Sequence, residues 1–231
     1  MNLSNLIFGV YPYIALTTFF VGSLIRFDRE QYTWKADSSQ LFEKEQLRKG
    51  SILFHIGVLA LFMGHFAGLV TPHSWFLSMG VSDMMHQVVA ISAGAGFGSL
   101  CMMGGVILWK RRMYNSRVRA NSRFMDIFIL NWILVTLGVG LLTIPVSIYH
   151  AFGSDASAMI ALAEWIQATL ALNPNPAMLD NVNIIYKLHL FLGMSVFFLF
   201  PFSRLVHVWS VPLGYLIRPY QIVRTKFVKQ R

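Results

Sequence analysis

Long apolar segments alternate with polar connections along the whole chain. Each of the five segments reaches the length of about 20 residues that a helix needs to cross a bilayer. They lie at about 5–25, 51–70, 86–109, 124–149 and 183–208. A transmembrane helix satisfies its backbone hydrogen bonds internally, which makes it the form such segments take in lipid. We therefore predict an all-α fold: an integral membrane bundle of five transmembrane helices.

The polar parts of the pattern predict one membrane domain over 1–231, ending in a tail at 209–231. The first segment lacks a basic n-region and a small-residue cleavage site, so we expect it to be a span and not a cleavable signal peptide. The connection 150–182 contains ASAMIALAEWIQATLAL, which predicts an amphipathic helix on the membrane surface. With 55% hydrophobic residues among 231, the chain is too apolar for a soluble domain of this size.

The basic residues indicate how the spans are oriented. Of the 19 Lys and Arg residues, all but Lys187 fall in three blocks, at 26–50, 110–123 and 204–231. The connections 71–85 and 150–182 contain none. This is the positive-inside pattern, and it predicts an outer N-terminus and a cytoplasmic C-terminus in the bacterial cytoplasmic (inner) membrane. Because the net charge of +9 follows topology, we expect no nucleic-acid partner.

Four histidines lie within two of the apolar segments. His55 and His65 are in the second, and His189 and His207 are in the fifth. An ionisable side chain inside a span is costly, so it indicates a functional site. The two spans run in opposite directions, which matches His65 with His189 near the outside and His55 with His207 near the cytoplasm. Haem iron takes axial imidazoles, and we predict two haem b groups, non-covalent because no CxxCH is present.

The spacing of the histidines permits this pairing without requiring it. His189 and His207 are five helical turns apart, which places them on one face and about 27 Å apart along a continuous helix. His55 and His65 are about 15 Å apart and roughly 80° off a common face. Helix tilt, inclined haems or a bend near Pro201 would have to absorb the difference.

The histidines and the chain as a whole also have other interpretations. A lone membrane histidine often forms an interhelical hydrogen bond, and His73 and His150 are expected to be solvated loop residues. The chain has a single cysteine, Cys101, which excludes an intrachain disulfide and a thiolate metal site. The chain has no HExxH, no Gly-rich phosphate loop and few intramembrane carboxylates; Asp126 lies near a span end. A haem-free transporter or membrane anchor is the alternative from another class of protein.

Several long motifs are shared with a known family. They are YPYIA, QYTWKADSSQ, LFHIG, GHFAGLVTPH, LLTIP, KLHLFLGM and LFPFSRLVHVWSVP. On these motifs the chain resembles the gamma subunit, a di-haem cytochrome b, of bacterial membrane-bound respiratory nitrate reductase. The resemblance covers most of the length, and 150–182 is its least distinctive part. A related quinone-linked cytochrome b serving another reductase is the nearer alternative.

The resemblance implies a ligand set and partners. His55 and His207 would hold the inner haem, and His65 and His189 the outer haem. Quinol would be oxidised near the outer haem, and electrons would pass to an iron–sulfur beta subunit and a molybdenum alpha subunit that reduces nitrate. The inner loop QYTWKADSSQ and the tail would contact the cytoplasmic partner, with anionic lipid as the competing explanation for the basic tail.

The quinol site is expected beside the outer haem. His65 and His86 are the candidate catalytic bases, and Gly64 and Gly68 would leave room for a flat ring. Where the best-known family members carry a lysine at the start of span three, this chain reads DMMHQ, and His86 would take that place. A histidine titrates near neutrality and a lysine does not, so quinone preference and pH response would differ.

Four basic residues are candidates for binding haem propionates. Arg112 and Arg204 would serve the inner haem, and Arg111 is a weaker candidate there. Lys187 would serve the outer haem. The competing interpretation is positive-inside charge for the arginines and snorkelling to the interface for Lys187.

Overall fold

The computed structural model describes residues 2–34, 42, 44–153 and 155–210. Five helices are long and apolar enough to cross a membrane, and we name them spans one to five: Asn5–Arg29, Lys44–Val70, Asp83–Tyr114, Phe124–Phe152 and Ile184–Phe202. The described residues contain no β-strand. The predicted all-α, five-span architecture is confirmed, and the first four spans extend beyond their apolar centres into polar ends.

The spans pack on one another in series, and spans two and five do not pack closely on each other. Span two packs on span three, three on four, four on five, and five on span one. Spans two and five, which carry His55, His65 and His189, are not among the closely packed pairs of described helices. They are therefore joined to each other through spans three and four.

Spans two and three are in close backbone contact. A Cβ on Gly57 would lie 2.6 Å from the Cβ and the amide nitrogen of Cys101. A Cβ on Gly104 would overlap the amide nitrogen of Phe54. Small residues allow such an approach, so Gly57 and Gly104 serve the packing of the two helices. Gly94, in contrast, faces open space.

One end of the bundle, which we call the cap face, is covered by the connection 71–82 and by the described part, 153 and 155–183, of the later connection. It carries the short helix His73–Ser78, the cap helix Ser157–Leu170 and the 3₁₀ turn Pro176–Leu179. The predicted helix in 150–182 is therefore confirmed. Its Trp165 is 2% exposed and packs in a core with residues of spans one and five.

A proline explains how the cap helix is tied to span one. Pro12 has no N–H to donate to the Phe8 carbonyl one turn earlier in the helix. The indole Nε1 of Trp165 donates to that carbonyl at 3.2 Å. Pro12 lies in the α-helical part of span one, Tyr11–Thr17. Span one is irregular on both sides of this part, with π-helical turns at Asn5–Val10 and Thr18–Gly22.

The opposite end, which we call the basic face, contains the break that ends span five. The expectation of one helix over 183–208 is wrong. The α-helix ends at Leu199, the 3₁₀ turn Phe200–Phe202 follows, and a second 3₁₀ segment spans Arg204–Ser210. Pro201 lacks the N–H that would continue the helix, and Ser203 is extended. His207 is therefore carried on a separate segment, and the axial spacing calculated for a continuous helix does not apply.

Candidate functional site

The four histidines of spans two and five and the 3₁₀ segment lie in two pairs. The ring centroids of His55 and His207 are 6.3 Å apart, and those of His65 and His189 are 6.1 Å apart. We call these the basic-side pair and the cap-side pair. They are the combinations expected from matching depth on antiparallel spans.

Each of the four rings has the same backbone anchor on Nδ1. The carbonyl oxygens that accept from these nitrogens belong to Ser51 at 2.8 Å for His55, Leu61 at 2.7 Å for His65, Thr136 at 3.0 Å for His189 and Arg204 at 2.6 Å for His207. A carbonyl can only accept, so each Nδ1 carries the proton. In a neutral imidazole this leaves the Nε2 lone pair available as a metal ligand.

The separation of the paired rings fits two imidazoles on one metal ion. An imidazole–metal bond is about 2.0–2.1 Å, and about 1 Å more separates the nitrogen from the ring centre, so two opposed rings lie roughly 6 Å apart. The described residues contain no group of three or more His, Cys, Asp and Glu side chains that could hold a metal ion. Two imidazoles alone suit a metal whose other ligands come from a macrocycle, which is how haem is held.

The His189 ring is seated against span four. Its Nδ1 donates to the Thr136 carbonyl, and a Cβ added to Gly140 would lie 2.7 Å from its Cε1. Glycine at position 140 is therefore needed for the ring to approach the helix. In this way span four fixes the orientation of a side chain that belongs to span five.

A buried cluster of cations lies at the basic end of the bundle. Arg112 is 9% exposed, and its Nη1 lies 3.0 Å from Ser122 Oγ and 3.5 Å from Asp126 Oδ2. Arg111 and Arg204 are close enough to act on Arg112 by charge repulsion. Arg112 therefore has a protein counter-ion, and the cluster lies beside the basic-side pair through Arg204, whose carbonyl accepts from His207.

The predicted quinol-site residues lie on the cap side. The His86 ring stacks on Phe76 with centroids 4.2 Å apart, and a Cβ on Gly68 would lie 3.3 Å from His86 Nε2. Gly68 and His86 line one cavity of about 20 Å³, which has room for about one water molecule. Gly64 is not part of the lining of this cavity, and a Cβ added to it would meet no atom within 4 Å.

Lys187, a predicted propionate-binding residue, and His73 also lie at the cap end. Lys187 Nζ donates to the Asp180 carbonyl at 3.2 Å. His73, expected to be a solvated loop residue, lines the cavity and lies 3.4 Å from Asp83 Oδ1 through its Nε2. Glu164 and Gln167 of the cap helix complete this lining. No local motif marks these residues, because the cap helix brings them together only in the folded chain.

The predicted partner-contact segments fall largely outside the described residues. This holds for 35–40 of QYTWKADSSQ and for 211–231 of the tail. At their edges, Trp34 Nε1 donates to Ser210 Oγ at 2.8 Å, and Tyr32 is 94% exposed. The inner loop and the start of the tail therefore meet at the basic face.

Comparison with known proteins identifies the family. Residues 4–226 match the family described as nitrate reductase gamma subunit. The chain belongs to the nitrate reductase gamma subunit family. It is 45% identical to respiratory nitrate reductase 1 gamma chain of Escherichia coli, over 97% of this chain and 98% of that one. It is 36% identical to the nitrate reductase gamma chain of Bacillus subtilis, over 96% and 98%.

Membership confirms the resemblance seen in the motifs. A second Escherichia coli relative, respiratory nitrate reductase 2 gamma chain, is 44% identical over 95% of this chain and 96% of its own length. Together with the five apolar helices, these relatives show that this gamma subunit is a multi-pass protein of the bacterial inner membrane. It is a subunit of an oxidoreductase complex in electron transport.

Proposed function

We propose that this gamma subunit oxidises quinol in the membrane and passes the electrons through two haem b groups to its partner subunits. Those partners would be an iron–sulfur beta subunit and a molybdenum alpha subunit that reduces nitrate. The observation that supports this most directly is the two imidazole pairs at two levels, each with ring centroids about 6 Å apart and Nδ1 anchored.

The chain would hold each haem through one histidine of span two and one from the fifth span or its extension. His55 and His207 would ligate one iron, and His65 and His189 the other. When bound, such a haem takes up and gives up one electron at a time, since both axial positions are filled. The carbonyls on Nδ1 fix the tautomer, orient the rings and raise the basicity of Nε2.

Charged residues at the two ends would neutralise the haem propionates. Arg112 and Arg204 lie beside the basic-side pair, and Arg112 has Asp126 as a counter-ion. Lys187 lies at the cap end, two residues before His189, and its ammonium already contacts the Asp180 carbonyl. A small adjustment of this flexible side chain would bring the ammonium to an anionic group.

The positions of the charges support an orientation for the whole subunit. The cap-face connections 71–82 and 153–183 contain no Lys or Arg, whereas the opposite connections are basic. The basic face would therefore be cytoplasmic and would anchor the partners. Quinol protons would be released at the cap face while electrons move inward, which contributes to the proton-motive force without a proton channel.

His86 is the favoured base for the quinol proton. The Nδ1 of His65, which is the nitrogen left for a quinol after metal ligation, already donates to Leu61. His86 Nε2 points toward Gly68 of span two, one turn beyond His65 and Gly64. A quinol ring held over Gly64 and Gly68 would therefore lie between His65 and His86.

Haem analysis of alanine variants tests the ligand assignment. A pyridine haemochrome assay on the purified chain should give two haems. We expect His55→Ala and His207→Ala to lose the same haem, and His65→Ala and His189→Ala to lose the other, as distinguished by redox titration. A haem-free wild-type chain, or losses in other pairings, would contradict the proposal.

Substitution of His86 tests the quinol assignment. His86→Gln keeps a hydrogen-bonding group but does not titrate, and general-base catalysis typically contributes about 10²–10⁴-fold. We expect quinol-dependent haem reduction to slow at least about tenfold, with both haems retained. The matched control is His150→Gln, on the cap face but outside the cavity lining. Equal rates for wild type and His86→Gln from pH 6 to 8 would exclude His86 as the base.

A further inference from the structure

The break at the end of span five leaves backbone carbonyls without helical donors. Arg26, at the basic end of span one, provides the missing donors. Its Nη1 donates to the Pro201 carbonyl at 2.6 Å and to the Ser203 carbonyl at 2.8 Å, and its Nη2 donates to the Thr33 carbonyl at 2.9 Å. One guanidinium thus joins the two sides of the break to the loop that follows span one.

Other residues of span one contact the same break. A Cβ on Gly22 would lie 2.9 Å from Pro201 Cγ, so the two elements touch closely there. The Phe19 ring packs on Phe200 and Trp209, with centroid distances of 4.7 and 5.3 Å. Phe19, Gly22 and Arg26 follow helical spacing and form one face. That face holds both the turn before the break and the 3₁₀ segment after it.

The segment between the break and His207 is short and internally fixed. Ser203 Oγ donates to the Phe200 carbonyl at 3.0 Å and accepts from Leu205 N at 3.2 Å. Val206 is fully buried, and His207 Nδ1 donates to the Arg204 carbonyl. A shift of the Ser203 carbonyl is therefore transmitted to the His207 ring, only four residues away.

We propose that Arg26 is a positioning residue for His207: by bridging the Pro201 and Ser203 carbonyls it holds the His207 ring opposite His55. The proposal rests on the proposed function, because it requires the His55–His207 pair to bind haem. Charge-assisted hydrogen bonds from a planar guanidinium are strong and directional. The ammonium of a lysine lacks that fixed fork and is a poorer bridge between three carbonyls.

The test uses the full-length chain with two substitutions and one control. Arg26→Gln removes the charge and the fork. Arg26→Lys keeps the charge and so preserves the contribution of this position to membrane topology. Arg29→Gln, three residues along on the same helix and exposed, removes an equivalent charge outside the break. Haem content, the midpoint potential of each haem and amide hydrogen exchange of 204–210 are measured for all of them.

We expect Arg26→Gln to raise exchange in 204–210 about tenfold, since a lost hydrogen bond of this kind corresponds to about that ratio. The haem of the basic-side pair should be lost or shifted in potential, and the cap-side haem should be unchanged. Arg26→Lys should give an intermediate exchange rate and retain both haems. Arg29→Gln should match wild type throughout.

The outcomes separate this proposal from the proposed function. Unchanged exchange in Arg26→Gln would refute the anchoring of the break. Faster exchange with an unchanged basic-side haem, in a background where His207→Ala loses that haem, would refute the positioning role alone. If His207→Ala loses no haem, the ligand assignment itself fails, and the positioning proposal fails with it.

Discussion

At each of the four paired histidines, the ring nitrogen that faces the protein donates to a backbone carbonyl. For His55, His65 and His207, the accepting carbonyl belongs to a residue three or four positions earlier in the chain. For His189, the accepting carbonyl belongs to Thr136 on another span. His189 therefore depends on tertiary structure for its orientation, whereas the other three are oriented largely by their own helical turns.

Because the orientation of the His189 ring depends on span four, we expect it to be sensitive to substitutions on that span. In Gly140→Ala the new methyl would lie 2.7 Å from His189 Cε1, so the ring must move away from the position in which it is proposed to bind iron. We expect haem content to fall by the cap-side haem alone, as measured by the haemochrome assay and redox titration. The control is Gly138→Ala, whose methyl would meet only Met102 Cε at 3.8 Å. Loss of haem in the control as well would point to general damage to span four.

A pH-dependent contact is predicted at the start of the cap helix. Asp155 Oδ1 accepts from Ser157 N at 2.9 Å, and Oδ2 lies 2.9 Å from His150 Nδ1. These hydrogen bonds, first from Ser157 and then from His150, lower the pKa of Asp155 to about 2 from an ordinary value of 3.8. A lowered pKa means that the carboxylate stabilises the folded cap above pH 3.8 and loses this effect as the pH falls toward 2.

We therefore expect the first turn of the cap helix to open more readily below about pH 4. Amide exchange at residues 157–160, normalised to the intrinsic rate at each pH, should rise as the pH falls. Asp155→Asn should remove that dependence, because the amide does not titrate. A wild-type protection factor that is constant from pH 5 to 2.5 would contradict the assignment.

Among the elements, the contact between spans two and three is the tightest one at the level of the backbone. In Gly104→Ala the methyl would meet the backbone of Phe54, one residue before His55. Overpacking of this kind costs about 1–3 kcal/mol, and a rigid backbone cannot relax as a side chain can. We expect a lower thermal unfolding temperature in detergent and a perturbed basic-side haem.

Gly94→Ala is the matched control for this substitution on the same span. The position faces open space, and replacing glycine by alanine inside a helix is favourable by about 0.5–1 kcal/mol. The melting temperature should therefore stay the same or rise. If both variants melt alike, glycine at position 104 is not needed for the packing of the two spans.

Hydropathy predicted the elements well but not the path of the last one. Apolar composition continues through Phe200, Pro201 and Phe202, so the pattern suggested one helix to 208. It carries no information on backbone continuity, and the break depends on Pro201 together with the donors that Arg26 brings from span one. The pairing of histidines was predictable because it needs only the order and direction of the spans. The cavity that His73 lines was not predictable, because its walls come from four separate helices.

At the scale of the whole molecule, the two faces differ in charge, and the orientation that this implies is testable. The cap-face connections lack Lys and Arg, and the basic face carries the arginines next to the span ends. We expect a green fluorescent protein fused to the C-terminus to fluoresce, since it folds only in the cytoplasm. A phosphatase fused into the 171–175 turn of the cap face should be active outside. The opposite pattern would reverse the proposed direction of proton release.

The packing of span one against span five joins the first and the last of the five spans. Phe8 and Ala15 of span one share a core with Met194 of span five, which is synthesised after the other four spans. The nascent chain must therefore keep span one waiting in the bilayer until span five emerges from the ribosome and the insertion machinery. His207, the proposed partner of His55, is made later still, so the proposed basic-side pair can form only after all five spans have been synthesised.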